Sequence, residues 1–310
     1  MAESPFISVI ICTYNRAEYL QDTLKSLLQT DTAVDQFEVL IIDNNSTDET
    51  PDVIQSAIAD FPKIQIKHIK ESKQGLSHAR NRGIRESSAP ILLFLDDDIT
   101  VHLDFLATWV SFFRQYPQAS GGGGKIHVQF DDPRPTWMSY FLLPLLGYHD
   151  LGNSIKKYPS NKYPFGGNMA FRREIFEKYG TFNTQLGRIG SGKMASEEKE
   201  FYRRLSDNEG IYYVPNAFIH HRVNKQRLTK TFIKKQALGL GKSIALQMQQ
   251  ASAMEKGRQI SSEIIKIFAT FFLSMGYAIG LQFSKAVMLF KFRGWIWQGC
   301  AMARAEQIST

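Results

Sequence analysis

Along the first 100 residues, short apolar runs alternate with segments whose apolar residues recur every three or four positions. The short runs, rich in β-branched residues, predict strands over 6–12, 37–42, 64–69 and 91–95. The helically spaced segments predict helices over 17–29, 50–60 and 76–85. Strand–helix–strand units of this length predict an α/β fold with a mostly parallel sheet that helices cover on both faces.

Three of the predicted strands end in polar runs. The runs are Thr13-Tyr14-Asn15-Arg16, Asp43-Asn44-Asn45-Ser46-Thr47-Asp48 and Asp96-Asp97-Asp98. Ligands of open parallel sheets bind outside the carboxyl ends of the strands, so we expect these side chains to meet at one rim and form a binding site. No Gly-x-Gly-x-x-Gly follows the first strand, which argues against a dinucleotide fingerprint.

The Asp96-Asp97-Asp98 triplet follows a strand that has the composition of a buried one. Neighbouring carboxylates repel one another and burial adds to that cost, so a bound divalent cation is one explanation. An acidic cap before a helix near His102 is the other. On an extended chain Asp96 and Asp98 point the same way. Asp97 then faces the opposite side, and we expect it to tolerate replacement.

Beyond residue 100 the patterns are sparser. Gly121–Gly124 with Lys125 superficially resembles a phosphate loop, but Ile126 stands where such a loop needs a hydroxyl. We interpret the run as flexible backbone that leads into a strand over 125–130. Further patterns predict a helix over 173–179 and a strand over 211–214.

The net charge of +7 is unevenly distributed. From His221 to the end there are 14 Lys and Arg against 3 Asp and Glu, which leaves 23 against 27 in the first 220 residues. A basic region that also holds the longest apolar run favours an anionic membrane surface over nucleic acid as partner.

Cys12 and Cys300 fit neither a disulfide framework nor a zinc site, so we expect a reducing compartment. The first residues predict no cleavable signal peptide.

The longest uncharged stretch is Ile267–Ser284, 18 residues long, which is at the lower limit for a membrane-spanning helix. Basic residues follow it, and Trp295 and Trp297 suit a membrane interface. Three interpretations stay open for this stretch: a spanning helix, a shallow monotopic anchor, or a helix that packs in a dimer or against another domain.

Four motifs carry a family resemblance. They are Ser8–Arg16 (SVIICTYNR), Val39–Asp48 (VLIIDNNSTD), Gly75–Asn81 (GLSHARN) and Leu93–Asp98 (LFLDDD), in that order. Over roughly residues 6–222 the chain resembles a family 2 glycosyltransferase of the GT-A fold, especially bacterial enzymes of exopolysaccharide and surface-polysaccharide assembly. The resemblance implies an inverting transferase that uses a nucleotide-diphosphate sugar, with a UDP-sugar as the expected donor, and Mg²⁺ or Mn²⁺.

The resemblance also divides the chain. It implies a catalytic GT-A domain over residues 1–222 and leaves a basic, apolar, helical region over 223–310 that we expect to contact a membrane. The implied partners are the donor and a saccharide or lipid-linked acceptor, and a homo-oligomer stays open. We expect the protein at the cytoplasmic face of the inner membrane, peripheral or anchored through its C-terminal region.

The family assigns roles to residues at the rim. The resemblance implies that Thr13, Tyr14 and Asn15 line the base and ribose pocket, and that Asp43 contacts the base with Asn45 beside it. For Asp43 a turn-forming cap is an equal alternative, because Asn44-Asn45-Ser46 is a strong turn run.

Three further groups receive a role in the same way. Arg80 would reach the nucleotide or its diphosphate, although a surface cation is the simpler interpretation of an isolated helix arginine. Asp96 and Asp98 would serve the ribose and the metal. Gly167 and Asn168 would lie near the donor sugar, with a plain turn as the alternative.

The catalytic base is expected in the acidic pair Glu197-Glu198. An inverting transfer needs one carboxylate to accept the proton of the acceptor hydroxyl. Glu198 occupies a position where relatives usually have aspartate, so the choice between Glu198 and Glu197 stays open. His221 would complete the metal site, and a structural strand histidine is the alternative. Trp137 suits sugar stacking and core packing equally well.

Two other functions stay open beside the transferase. A non-catalytic nucleotide-sugar-binding or scaffold protein of the same fold would need to have lost its base or metal motif, whereas Asp96, Asp98 and Glu198 are all present. A nucleotidyltransferase would carry a glycine-rich basic loop after the first strand, and Thr13-Tyr14-Asn15-Arg16 differs from that pattern.

Overall fold

The computed structural model describes residues 5–159, 162–186, 197–205, 208–250 and 252–308. The chain divides into two compact units. The first comprises the residues up to His127 together with His149–Arg222, and the second comprises Val128–Tyr148 together with the residues from Val223 onward. The sequence interpretation placed residues 128–148 in the catalytic domain, whereas in the structure they belong to the second unit.

The first unit is built on one sheet with flanking helices. Its strands are β1 (Ile7–Thr13), β2 (Phe37–Asp43), β3 (Gln65–Lys70), β4 (Ile91–Leu95), β5 (Ile99–Val101), β6 (Gly121–Phe130), β7 (Lys156–Lys157), β8 (Asn168–Arg172) and β9 (Ile211–Val223), of which β6 and β9 continue into the second unit. Its helices are α1 (Ala17–Leu28), α2 (Thr50–Asp60), α3 (Leu76–Glu86), α4 (Phe105–Gln115), α5 (Arg173–Tyr179) and α6 (Glu197–Arg204). The strands and helices predicted over the first 100 residues are therefore confirmed to within one or two residues at each end.

The strand order is β3-β2-β1-β4-β8-β6-β9-β5, with β7 paired to β9. The pairs β3–β2, β2–β1 and β1–β4 are parallel, as predicted. Beyond β4 the described pairs β4–β8, β6–β8 and β5–β9 are antiparallel, so the parallel arrangement is confined to the first half of the chain. The Asp96–Asp98 triplet connects β4, inside the sheet, to β5 at its far edge.

The two faces of the sheet bury separate apolar clusters. Alternating β1 residues divide between them, with Val9 and Ile11 on one face and Ile10 on the other. The first face packs against α1, α2 and α4, and the second against α3, α5 and α6. Full burial of one such side chain stabilises the fold by about 1.5–3 kcal/mol, so the sheet is a rigid base for the residues at its rim.

The Gly121–Gly124 run is not flexible backbone, which corrects the sequence interpretation. All four glycines are buried inside β6. A Cβ at Gly121 would lie 2.8 Å from the Ala170 carbonyl oxygen, and one at Gly122 would lie 2.7 Å from that of Tyr212. Side chains are excluded there because the neighbouring backbones are too close.

The second unit is helical. It contains a 3-10 helix at Tyr140–Leu146, another at Lys225–Leu228, and the long helices α7 (Lys230–Gln250), α8 (Ala253–Ile279) and α9 (Phe283–Ile308). Apolar residues of α7, α9 and the first 3-10 helix form its core, and Trp137 packs against that core while half-buried. This packing explains why residues 128–148 belong here.

The uncharged stretch Ile267–Ser284 is not one continuous helix in the structure. Helix α8 ends at Ile279, and the chain turns through Gly280–Gln282, where Leu281 has φ 56°. The Gln282 amide donates to the Tyr277 carbonyl at 2.7 Å, which closes the turn. Among the described helices, α8 has the length and composition to cross a membrane, and 11% of its most apolar 18-residue window is buried in the protein.

Candidate functional site

The acid triplet at the end of β4 is paired with Arg16, which follows β1. The guanidinium donates to Asp97 Oδ1 at 2.6 Å and to Asp98 Oδ2 at 2.8 Å. Thr13 also donates to Asp97, at 2.8 Å. Asp97 and Asp98 are buried, whereas the Asp96 side chain is 40% exposed. Asp97 is therefore part of the charge network, and the expectation that it faces away from that network is wrong.

A three-residue group at the rim has the geometry of a metal site. One carboxylate oxygen each from Asp96 and Asp98 and one imidazole nitrogen of His221 lie within 4.8 Å of one another. His221 lies on β9 opposite Ile99 of β5, and its Nε2 is 3.3 Å from Asp98 Oδ1. Strand alternation turns His220 to the other face, against Phe218 and His127. The helix-cap explanation of the triplet does not hold, because β5 follows it directly.

Arg80 connects this group to the acidic pair at the start of α6. Arg80 lies on α3, is 3% exposed, and donates to Glu197 at 2.9 Å and to Glu198 at 3.0 Å. The same guanidinium is 3.9 Å from Asp96. Glu197 is buried, whereas the Glu198 side chain is 24% exposed. Of the two candidate bases, Glu198 is the one that solvent reaches.

Two glycines allow these charges to approach. A Cβ at Gly167 would lie 2.7 Å from Asp96 Oδ2, and a Cβ at Gly166 would overlap Glu198 and Arg80. The glycine pair thus lines both the acid triplet and the acidic pair. Any larger residue would displace one of these side chains.

Burial determines the protonation of the site. It raises the pKa of Glu198, with the Glu197 and Asp96 charges adding to the effect and Arg80 opposing it. Burial also raises the pKa of Asp97 to about 6, against the lowering effect of Arg16. Burial disfavours the charge of Arg80, but Glu198, Glu197 and Asp96 outweigh it and raise the pKa of that guanidinium.

The residues after β1 and β2 form a turn-rich surface. Asn15 and Asn45 have φ values of 52° and 67°, left-handed conformations that asparagine tolerates better than most residues. The Asn15 carboxamide oxygen accepts from the Thr47 amide at 2.7 Å, and the Asn45 amide donates to the Ser72 carbonyl at 2.7 Å. The first bond connects the loops after β1 and β2, and the second connects the loop after β2 to the segment that follows β3. Tyr14 is 38% exposed in the loop after β1.

Asp43 lies within the same surface but is 1% exposed. Its Oδ1 accepts from the Ser46 amide at 2.8 Å, the bond expected of a turn-forming aspartate. Its Oδ2 is 3.5 Å from His68 Nε2 on β3. The structure thus shows the turn-forming role, and Tyr14, Asn15 and Asn45 are the more exposed members of this surface.

Comparison of the sequence with models of known protein families identifies the family of this chain. Residues 8–180 match the model of glycosyl transferase family 2, which is more than half of the chain. The chain belongs to glycosyl transferase family 2.

Individual relatives are more distant. A glucosyl-dolichyl phosphate glucuronosyltransferase of Haloferax volcanii is 25% identical over 226 residues, which is 71% of this chain and 70% of the relative. A GalNAc(5)-diNAcBac-PP-undecaprenol beta-1,3-glucosyltransferase of Campylobacter jejuni is 34% identical over 94 residues, 30% of either protein.

The solved structures confirm the GT-A fold of this family 2 glycosyltransferase. A mannosyltransferase from Pyrobaculum calidifontis, solved in complex with GDP-Man and Mn²⁺, superposes with a TM-score of 0.65 at 17% identity. The superposition covers 97% of this chain and 87% of that one.

Two residues that the resemblance assigned to the donor pocket of the glycosyltransferase are buried in the structure. Thr13 is buried, and its hydroxyl holds Asp97 instead of lining open space. Asn168 is fully buried, and its amide donates to the Ala217 carbonyl at 2.8 Å, so it joins strands inside the sheet. Gly167, next to it, is the residue that reaches the rim.

Sequence reasoning missed the role of Arg16 in the glycosyltransferase. The signal was present, because a cation directly after one strand and three acids after the neighbouring parallel strand must lie close together. It also missed Thr23 of α1, whose hydroxyl donates to the backbone carbonyls of Asp97 and Ile99 at 2.9 and 2.7 Å. No sequence pattern marks a helix threonine for that contact.

Proposed function

We propose that this family 2 enzyme transfers a sugar from a nucleotide-diphosphate donor to a saccharide or lipid-linked acceptor, with inversion at the anomeric carbon and dependence on a divalent cation. The observation that carries the proposal is the position of Arg80. It lies between Glu198, at 3.0 Å, and Asp96 of the metal-capable group, at 3.9 Å. The rim thus offers both a partly exposed carboxylate and a cation site.

The donor atoms at the rim fit the cation. Two carboxylates and one imidazole suit Mn²⁺, and carboxylates with water suit Mg²⁺. Asp96, Asp98 and His221 would hold the ion, which would neutralise the charge that develops on a diphosphate leaving group. The Mn²⁺ in the mannosyltransferase of the same fold supports this assignment.

Glu198 accepts the proton in the proposed reaction. The acceptor hydroxyl oxygen forms a bond to the anomeric carbon as the bond from that carbon to the diphosphate oxygen breaks. The hydroxyl proton moves to a Glu198 carboxylate oxygen, and the electron pair leaves with the nucleoside diphosphate. Arg80 holds Glu198 in place, and Glu197 holds Arg80 from its buried side.

The nucleotide is assigned to the surface formed by the loops after β1 and β2. Tyr14 offers an exposed ring for a base, and the Asn15 and Asn45 backbones are fixed in left-handed turns beside it. A UDP-sugar is the donor we favour. Asp43 shapes this surface through its bond to Ser46.

The acceptor assignment rests on the relatives. The Haloferax protein is named for glucosyl-dolichyl phosphate and the Campylobacter protein for a diphospho-undecaprenol glycan. A lipid-linked acceptor places the enzyme at a membrane, and a nucleotide-sugar donor places its active site on the cytoplasmic face.

A donor-release assay tests the proposal. The purified full chain is incubated with UDP-, GDP- and TDP-sugars in Mn²⁺, Mg²⁺ or EDTA, and nucleoside diphosphate is measured with and without lipid-linked acceptor. Asp98→Asn should abolish metal-dependent release, while Asp52→Asn, at an exposed position on α2, should not. Full release in EDTA or in Asp98→Asn would overturn the metal assignment. The anomeric coupling constant of the product tests inversion, and tight UDP binding without turnover would favour the non-catalytic alternative.

A further inference from the structure

Helix α8 of the second unit has its polar side facing the protein. The residues that α8 buries within the unit include Thr270 and Ser274, and Ser274 donates toward the Ala286 carbonyl of α9 at 3.4 Å. Its large apolar side chains face outward instead. A surface helix of a water-soluble protein turns its apolar side toward the core and its polar side toward water. Helix α8 does the reverse, so its outward side suits an apolar environment.

The outward residues form one continuous face, which we call the α8 face. Spacings of three and four residues place them on one side of the helix. They are Ile264, Ile265, Phe268, Phe271, Phe272, Met275 and Ile279. Phe268 and Phe272 are 59% and 64% exposed, and Ile279 is 78% exposed beside the turn. A surface of this size on a soluble protein marks an interaction site.

From the start of the α8 face onward, the sequence carries charges of one sign over about forty residues. From residue 264 to residue 305 the sequence contains no Asp or Glu, but it contains Lys266, Lys285, Lys291, Arg293 and Arg304. The last acid before this stretch, Glu263, is neutralised by Arg293 at 3.0 Å and by Lys266 at 2.6 Å. An apolar face in a stretch of sequence with an excess of basic residues complements anionic lipid headgroups over an apolar acyl layer.

The turn after α8 limits how deep this segment reaches. The uncharged part of α8, residues 267–279, is about 20 Å long at 1.5 Å per residue, against about 30 Å for a hydrocarbon core. The chain then reverses, and Lys285 follows within the first turn of α9, where its Nζ bonds Gln282 at 2.7 Å. A charge so close to the turn belongs near headgroups.

We propose that the α8 face, together with Leu281 and Phe283 of the turn, inserts into one leaflet of an anionic bilayer as a monotopic anchor. The inference rests on the proposed membrane-located acceptor, and it names the element that holds the enzyme there. Neither end of α8 crosses to the opposite side of the membrane.

Flotation of the full chain tests the anchor. Purified protein is mixed with phosphatidylcholine vesicles with and without phosphatidylglycerol, without donor or metal. It should float with both and more completely with the anionic ones. The double variant Phe268→Glu/Phe272→Glu should lose at least tenfold in vesicle affinity, whereas Leu103→Glu, a comparably exposed residue of the first unit, should keep it. Equal flotation of both variants would overturn the proposal.

Fluorescence quenching measures how deeply the α8 face lies in the bilayer. A fluorophore on Phe272→Cys in a Cys300→Ser background should be quenched more by lipids labelled near the headgroup than by lipids labelled at the chain end. Cys12 is only partly buried, so Cys12→Ser is added to the same background to confine labelling to position 272. Stronger quenching from the chain end would show spanning, and no quenching with concentration-dependent dimers would show a protein partner; either overturns the inference.

The membrane-anchor proposal and the proposed reaction can be tested independently. Flotation uses neither donor nor acceptor, so Asp98→Asn should float like the unchanged chain. Loss of sugar transfer with retained flotation would count against the catalytic proposal only.

A second inference concerns Arg16, which bridges two carboxylates of the triplet. Its two terminal nitrogens divide between Asp97 and Asp98, and the Asp98 bond uses Oδ2. Asp98 Oδ1 is thereby turned toward His221 Nε2, 3.3 Å away. Thr13 and Thr23 hold the same segment from the other side. We infer that Arg16 is a positioning residue that fixes Asp98 for cation binding.

The direction in which Arg16→Gln changes Mn²⁺ affinity tests this role. Removing a nearby cation should tighten Mn²⁺ binding if Arg16 only balances charge. If Arg16 positions Asp98, Arg16→Gln should instead weaken Mn²⁺ binding about fivefold or more, as loss of an orienting partner does at metal sites. Binding is measured by electron paramagnetic resonance of free Mn²⁺ in the absence of donor.

Two variants control the measurement. Arg16→Lys provides one point charge instead of a fork, so it should recover only part of the affinity. Arg114→Gln, whose guanidinium contacts Gln36 away from the rim, should bind like the unchanged chain. Tighter Mn²⁺ binding in a folded Arg16→Gln, or full recovery by Arg16→Lys, would overturn the positioning role.

Discussion

The rim of the first unit and helix α8 of the second depart from the usual distribution of residues in opposite ways. The rim buries charges: Arg80, Asp97, Asp98 and Glu197 are each less than 8% exposed. Helix α8 exposes phenylalanines and isoleucines. Most buried charges in proteins are paired, and most large apolar side chains are covered. The buried charges of the rim are paired with one another through Arg16 and Arg80, whereas the described residues supply no cover for the exposed face of α8.

This difference separates two kinds of functional surface. At the rim, removing one charged partner leaves another charge buried and uncompensated, so both stability and chemistry should suffer. On α8, the apolar side chains are mostly exposed, so removing one should weaken the interaction with the cover much more than the fold. The following predictions test each half of that contrast.

The largest expected effect is on Glu198. Glu198→Gln keeps the size of the side chain but cannot accept a proton, so kcat should fall about 10²–10⁴-fold with little change in donor affinity. Glu197→Gln is the matched control, since Glu197 is the buried partner of the same arginine. It should lower thermal stability and reduce kcat less. Transfer rates and donor binding are measured on both variants, and the reverse ranking would make Glu197 the base.

Replacement of Asp97 tests whether its bonds to Arg16 and Thr13 stabilise the fold. Asp97→Asn should reduce the free energy of unfolding by about 1–3 kcal/mol, because the Arg16 and Thr13 bonds lose their charged acceptor. Urea denaturation measures this loss. Asp52→Asn on the exposed face of α2 is the control and should change stability by less than about 0.5 kcal/mol. Equal stability of the two variants would restore the spectator interpretation.

The sequence predicts part of the rim, and there is a physical reason why it does not predict the rest. Parallel β1, β2 and β4 were visible as apolar runs, and that order alone brings the loops after them together. Sequence could not show that Asp97 turns inward, because the strand alternation that was assumed for the triplet ends at Leu95. Nor could it show that Asn168 faces the sheet interior, since this depends on antiparallel strands from distant parts of the chain.

The second unit shows the same limit more strongly. Composition identified a basic, apolar C-terminal region, but an uncharged run of 18 residues does not reveal a turn inside it. The position of 128–148 in this unit depends on packing of Leu142 and Leu146 against α7 and α9, which no local pattern encodes.

The pH dependence of transfer should report the environment of Glu198. Burial raises its pKa above the ordinary 4.5, so the base becomes protonated, and transfer is lost, at a higher pH than for an exposed glutamate. kcat/KM should therefore fall on the acidic side with a midpoint above 4.5. Arg80→Lys should move that midpoint further up, because a lysine holds the carboxylate charge less well. A midpoint at or below the ordinary value would contradict the burial of the base.

The smallest expected effect is on α8 in the absence of lipid. Phe268 is 59% exposed, so Phe268→Ala should change the free energy of unfolding by less than about 0.5 kcal/mol. Phe292, on α9 of the same unit, is 6% exposed, and Phe292→Ala should cost about 3–5 kcal/mol. Both are measured by urea denaturation of the full chain in detergent-free buffer. A comparable loss in the two variants would mean that the α8 face is already covered by protein in solution, and the contrast between the rim and α8 would disappear.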